Sequence, residues 1–342
     1  MNALWPEFDA HRIFVAPWTT DVAIFGWIAL MGFFVAAACG MVGNYLILRR
    51  MALIGDAVSH SVLPGLVIAF LLSQSRSTGA MFIGALAAGA ATTLLIDAIH
   101  RRTRVKQDAA IGIAFSTLFA IGVLLTVIYA QQIDLDADCV LYGEIAFVPL
   151  EPFVQIGSIV LGPESLVRMG GVLLVLGLLV ALFYKELLVT SFDPGLARSL
   201  GINPTFFHYA LMAALSIVVV SAFEAVGAIL VIAMLILPGA TASLLTHRLS
   251  YVHALSLLHA ALSSVGGITL GVWLDCSLAA AMVVAGAFLF GLTWLFAPQN
   301  GLVARWRHHA AAEPLPPRPL THAPNASGPT VGSADRAASS PS

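Results

Sequence analysis

Asp56 and His60 stand four residues apart inside the apolar stretch 52–72. On a helix that spacing stacks the two side chains on one face. A carboxylate oxygen and an imidazole nitrogen held this way form half of a site for a first-row divalent metal. The same pair can relay protons, or simply glue two helices through an Asp–His hydrogen bond. Charge in hydrocarbon is costly, so an ionisable pair at this depth is a functional candidate by default. Two ligands are too few for one ion, and the rest must come from another helix, a second subunit or water. Ser59 and Ser61 are placed to supply supporting hydrogen bonds. Pro64 and Gly65 are expected to loosen the helix just beyond the pair.

Glu224, in Phe223-Glu224-Ala225-Val226-Gly227, is a candidate entrance carboxylate, or else an interfacial turn residue. His208 and His253 fall near helix ends, and His259 reads as a packing residue. Asp97 and His100 form a helix-end pair beside a basic loop. Pro238 is expected to kink its apolar run.

A second pattern occupies residues 185–202. Asp193 can cap a short helix that has Pro194 at its first position and ends at Gly201. Leu196, Ala197 and Leu200 are predicted to share an apolar face, with Arg198 beside it. A short amphipathic helix between two spans has the shape of a knob for another subunit's groove, or of an ordinary linker.

The elements that must carry these residues are membrane helices. Of 342 residues, 59% are hydrophobic and only 10% charged, against roughly 25% charged in soluble domains. The mean hydropathy is +0.93. That composition excludes a soluble enzyme, a nucleic-acid binder and a disordered scaffold, and the net charge of -2 suggests no polyanionic partner. Apolar runs at 22–48, 52–72, 79–99, 109–130, 168–188, 205–223, 225–245, 252–272 and 278–297 give nine candidate spans, with eight to ten the range. The fold class is therefore an all-α polytopic transmembrane bundle. Residues 1–21 form an extramembrane or interfacial segment, 22–297 the membrane domain, and 298–342 a tail. Seven of the 17 prolines lie after Ala312, so that tail is expected to be disordered.

Arg49, Arg50, Arg101, Arg102, Arg104, Lys106, Lys185, Arg198, Arg248, Arg305 and Arg307 fall on one side if nine spans alternate. The positive-inside rule then puts the C-terminus in the cytoplasm and the N-terminus outside. The outer segment 131–167 carries Asp134, Asp136, Asp138, Glu144, Glu151 and Glu164 without a Lys or Arg. It is a solvated loop, or a surface that attracts cations or a basic partner. Cys139 and Cys276 both fall outside, where an oxidising compartment would permit a bridge.

The chain has no phosphate-binding P-loop, no nucleophile elbow and no H-E-x-x-H. It reads as a transport subunit rather than an enzyme. Active transport would need an ATPase on another chain, or an ion gradient.

Three stretches resemble the membrane permeases of ABC-type divalent metal importers, the manganese, zinc and iron uptake family. They are Gly55-Asp56-Ala57-x-Ser59-His60-x-Val62-Leu63-Pro64-Gly65, the segment from Phe192-Asp193-Pro194 to Leu200-Gly201, and Val226-Gly227-Ala228-Ile229-Leu230-Val231 through Pro238-x-Ala240-Thr241-Ala242. With the span pattern the resemblance covers about residues 20–297. It implies a homodimer or heterodimer of permeases in the bacterial inner membrane, cytoplasmic ATP-binding subunits, and an extracytoplasmic binding protein that delivers the ion. Asp56 and His60 match the family's pathway residues, and 192–201 its ATPase-coupling segment. Mn2+, Fe2+ or Zn2+ would be cargo, with no cofactor held permanently and ATP used by the partner. The form around His60 is closer to the manganese/iron branch. A proton-coupled secondary transporter and a metal-chelate permease are the rival readings.

Overall fold

The structure is a computed structural model that describes residues 9–74, 78–129, 145–157, 159–297 and 301. After a π-helical turn at His11–Val15, the chain forms α1 (Ala16–Thr19), α2 (Val22–Leu48), α3 (Ile54–Ser73), α4 (Thr78–Arg102) and α5 (Gln107–Tyr129). A 3-10 turn, Ile145–Leu150, leads into an antiparallel hairpin of β1 (Phe153–Ile156) and β2 (Ile159–Pro163). Then come α6 (Glu164–Leu182), α7 (Tyr184–Phe192), α8 (Pro194–Ser199), α9 (Pro204–Leu245), α10 (Leu249–Leu274) and α11 (Leu278–Phe296).

Among the described residues eight helices are long and apolar enough to cross a membrane, and Ile229–Leu245 is a shorter apolar helix. These nine pieces correspond to the nine apolar runs of the sequence. The fifth run is shorter than its apolar length suggests, because the chain breaks at Phe183 and restarts as α7.

The sixth and seventh runs are one continuous α9 with a break at Gly227 (φ 76°, ψ 171°). Only glycine occupies that region of backbone space without strain. The expected kink at Pro238 is thus displaced eleven residues upstream to Gly227. Pro238 stays inside the helix and packs against Gly40 of α2, where a Cβ would come within 3.2 Å of it.

Helix α2 is the axis of the bundle and packs against α9, α10 and α6. Close backbone approach makes this packing. A side chain at Gly43 would collide with the carbonyl of Leu235, and one at Gly267 with Met282. Small residues at crossings are how membrane helices gain packing energy when lipid gives no hydrophobic drive. A second crossing, Gly65 of α3 on Gly84 of α4, holds α3 in place.

Helix α3 runs unbroken through Pro64, so the loosening expected there does not occur. Gly122 of α5 sits directly against the proline ring and supports it.

Candidate functional site

The pair is built on the first turns of α3. Asp56 lies in the first turn, where the helix dipole favours a carboxylate. His60 follows one turn later, with its Nε2 3.4 Å from Asp56 Oδ1. The imidazole rests on two rings of α5, Phe115 at 5.4 Å and Phe119 at 6.1 Å between centroids. Those rings fix its orientation without using its nitrogens. Side-chain exposure is 27% for His60 and 43% for Asp56. Most of the first half of α3 is buried, and Leu53 just before it, Asp56, His60 and Leu63 form an open stripe there.

Two ligands bound at about 2.1 Å to a tetrahedral ion sit about 3.4 Å apart. The observed separation therefore suits a shared ion as well as a direct contact. Pro64 has no N–H, so the His60 carbonyl lacks its usual helical donor. No group of three or more His, Cys, Asp or Glu side chains able to hold a metal occurs among the described residues. The described residues thus bring two potential ligand side chains together here.

Ser59 and Ser61 do not support the pair as expected. Ser59 Oγ donates to the Gly55 carbonyl at 2.9 Å. Ser61 Oγ bonds the Val58 carbonyl and Thr92 Oγ1 of α4. Both hydroxyls are buried on the two flanks of the helix and are bonded within the protein.

Glu224 lies in α9 three residues before the Gly227 break, and its side chain falls outside the described residues. Asp134, Asp136, Asp138, Glu144, Cys139 and the tail from 302 onward also fall outside them. Of the acidic segment, Glu151 braces the fold. Its Oε2 accepts from the Ser165 amide at 2.8 Å and satisfies the start of α6. Cys276 is an exposed free thiol and Cys39 a buried one.

The second pattern forms the expected short helix. Asp193 Oδ1 accepts from the amides of Gly195 (2.9 Å) and Leu196 (3.0 Å), Pro194 opens α8, and Gly201 leaves it at φ 80°. The three apolar residues do not share a face. Ala197 is fully buried, whereas Leu196 and Leu200, one turn apart, are 49% and 60% exposed. With Phe192, 62% exposed, they form an outward apolar knob, and Ala197 seats it on the bundle.

One constellation went unseen in the sequence. Asp97 near the end of α4 accepts from Arg101 Nε (2.6 Å) and from Tyr209 OH of α9 (2.5 Å), and His208 Nε2 lies 3.9 Å away. Thr93, His100, Gln107 and His208 line a cavity of about 340 Å3 beside it. The separation of 112 residues between Asp97 and Tyr209 hides the pairing from any local pattern. His259 Nε2 donates to the Gly286 carbonyl (3.2 Å) in the α10–α11 contact, the packing role its isolation suggests.

The profile of the ABC 3 transport family matches residues 22–297. The chain belongs to that family. It is 42% identical over 279 residues to the manganese transport system membrane protein MntD of Bacillus subtilis, covering 82% of this chain and 94% of the relative. It is 44% identical over 278 residues to the zinc transport system membrane protein TroD of Treponema pallidum, covering 81% and 75%. Among solved structures, PsaBC from Streptococcus pneumoniae in complex with Fab superposes with a TM-score of 0.68 at 32% identity, covering 83% of this chain and 94% of that one. The bundle of this ABC 3 chain is thus that of an ABC importer permease, and its apolar helices place it in a membrane.

Proposed function

We propose that the chain is the permease subunit of an ATP-driven importer of a divalent first-row metal ion, manganese first, with zinc and iron as the alternatives. The observation that carries this reading is the Asp56–His60 pair, 3.4 Å apart on the open stripe of α3. An exposed carboxylate at membrane depth is tolerated only where protein or water covers it. A second permease copy, the same or a different chain, supplies that cover and the remaining ligands. Helix α5 beside the pair supports this, because it is packed on little more than one side and Gly112 has open space around it.

The ion, delivered by an extracytoplasmic binding protein, contacts Asp56 and His60 only in passing, since a conduit must release what it binds. Affinity alone favours zinc over manganese, so selection rests with the delivering protein and the site's geometry. The Phe192–Leu196–Leu200 knob fits the groove of a cytoplasmic ATP-binding subunit, which hydrolyses the ATP. The basic ends of the spans support a cytoplasmic side for this knob and the C-terminus, and the membrane of this reading is a bacterial inner membrane.

The test is uptake of radiolabelled manganese by proteoliposomes holding the permease with its ATP-binding subunit and binding protein. Uptake that needs ATP inside and ignores a protonophore is the expected result. Uptake driven by a proton gradient without the ATPase would overturn the reading and leave the pair as a proton relay.

A further inference from the structure

Arg49 closes α2, and its position joins two regions far apart in sequence. Its Nε donates to Ser191 Oγ at 3.1 Å and its Nη2 to Thr190 Oγ1 at 3.3 Å, both on α7. Each hydroxyl donates onward to a carbonyl of its own helix, Thr190 to Glu186 (2.8 Å) and Ser191 to Leu187 (2.6 Å). Their donors are therefore spent, and their lone pairs are what the guanidinium meets. Among the described residues no carboxylate lies within ion-pair distance of it. Burial lowers the pKa of this arginine, yet the group stays charged. A fork of fixed donors facing two adjacent hydroxyls is a geometric fit that an ammonium cannot reproduce.

Both ends of this contact lead directly to the proposed machinery. Beyond Arg49 the chain reverses at Arg50, a non-glycine residue at φ 59°. The turn is closed by bonds from the Met51 amide to Leu46 (2.8 Å) and from the Ile54 amide to Met51 (3.1 Å). It is short and braced, and α3 starts at Ile54 with Asp56 in its first turn. On the other side Ser191 is two residues before Asp193, the cap of α8. The Asp193 amide in turn bonds the Val189 carbonyl at 2.9 Å, so the residue that caps α8 is tied to the last turn of α7.

We propose that Arg49 is the positioning residue through which the α7–α8 segment acts on α3, so that a push on the cytoplasmic knob shifts the helix bearing Asp56 and His60. This rests on the importer reading for what α3 does, although the linkage itself does not depend on the cargo. A cation at the end of α2 would also satisfy the helix dipole. Lysine serves that purpose equally well, and this separates a cap from a linkage.

The experiment uses the full complex in proteoliposomes with Arg49→Lys, and separately with Thr190→Val and Ser191→Ala together, which remove the acceptors and leave Arg49 in place. Each is expected to lower the metal ions moved per ATP hydrolysed by about tenfold, the size of a lost charge-assisted hydrogen bond, with assembly and basal hydrolysis unchanged. A second readout needs no metal. A spin label at Leu53→Cys, with Cys139 and Cys276 replaced by serine, is expected to change its spectrum when ATP binds the otherwise wild-type complex and not to change in the Arg49→Lys complex. A wild-type ratio in both variants, an equal fall in assembly, hydrolysis and transport, or an unaltered label response in Arg49→Lys would each overturn the linkage. A complex that moves no metal but shows the label pattern would sink the importer reading and keep the linkage.

Discussion

Two carboxylate–imidazole groups sit on neighbouring helices of this bundle, and they are chemically opposite. Asp97 has its two oxygens occupied by Arg101 and Tyr209, with His208 alongside at 3.9 Å. Among the described residues Asp56 and His60 have only each other as polar partners, at 3.4 Å, and both are partly open. The same residue types build a helix clamp in one place and leave coordination capacity in the other. What separates them is the partner inventory. A carboxylate that meets a guanidinium and a phenol has few lone pairs left for an ion. A carboxylate and an imidazole backed only by aromatic rings keep theirs.

The largest effect should come from breaking the open pair. Asp56→Ala and His60→Ala are each expected to bring metal uptake to background while leaving the purified protein's unfolding midpoint and its assembly with the ATP-binding subunit near wild type. Uptake assays beside thermal unfolding in detergent check this. Normal uptake by both variants would erase the difference between the two groups.

The clamp should respond the other way round. Asp97→Asn removes the charge that Arg101 and Tyr209 bind and is expected to cost about 2 kcal/mol of stability, read as a lower unfolding midpoint. Uptake per folded molecule should persist. An Asp97→Asn protein as stable as wild type but unable to transport would place Asp97 on the ion path. Gly227→Ala gives a loss of similar size from another source, about 1–3 kcal/mol for a Cβ held in a glycine-only conformation, and serves as a stability control that touches neither carboxylate.

The difference between the two groups also explains what could be read from the sequence. Asp56 and His60 were legible because a four-residue spacing is a local helical signal. The α8 cap at Asp193 was legible for the same reason, and the nine apolar runs needed only composition. Asp97 with Tyr209, and Arg49 with Ser191, lie 112 and 142 residues apart, and only the folded bundle brings them together. The sequence points to the wrong place for the break in α9 because proline advertises a kink, whereas here Pro238 is accommodated against Gly40 and the unusual dihedral belongs to Gly227. Apolarity alone gives Leu196, Ala197 and Leu200 one face, because it does not tell a seat from a knob. Ala197 is small enough to be covered completely, and its two neighbours stay outside.

The smallest effect concerns Ser61, which sequence spacing made a supporter of the metal pair. Its hydroxyl instead contacts Thr92 and the Val58 carbonyl in the α3–α4 crossing. Ser61→Ala leaves Thr92 with its own bond to the Ala88 carbonyl at 2.7 Å, so no buried donor is orphaned. The expected cost is about 0.6 kcal/mol, the usual worth of a side-chain hydrogen bond between membrane helices. Manganese uptake should keep its wild-type concentration dependence. A loss of apparent affinity without a loss of stability would show that Ser61 does orient the imidazole, and the open pair would then have a support that its static geometry lacks.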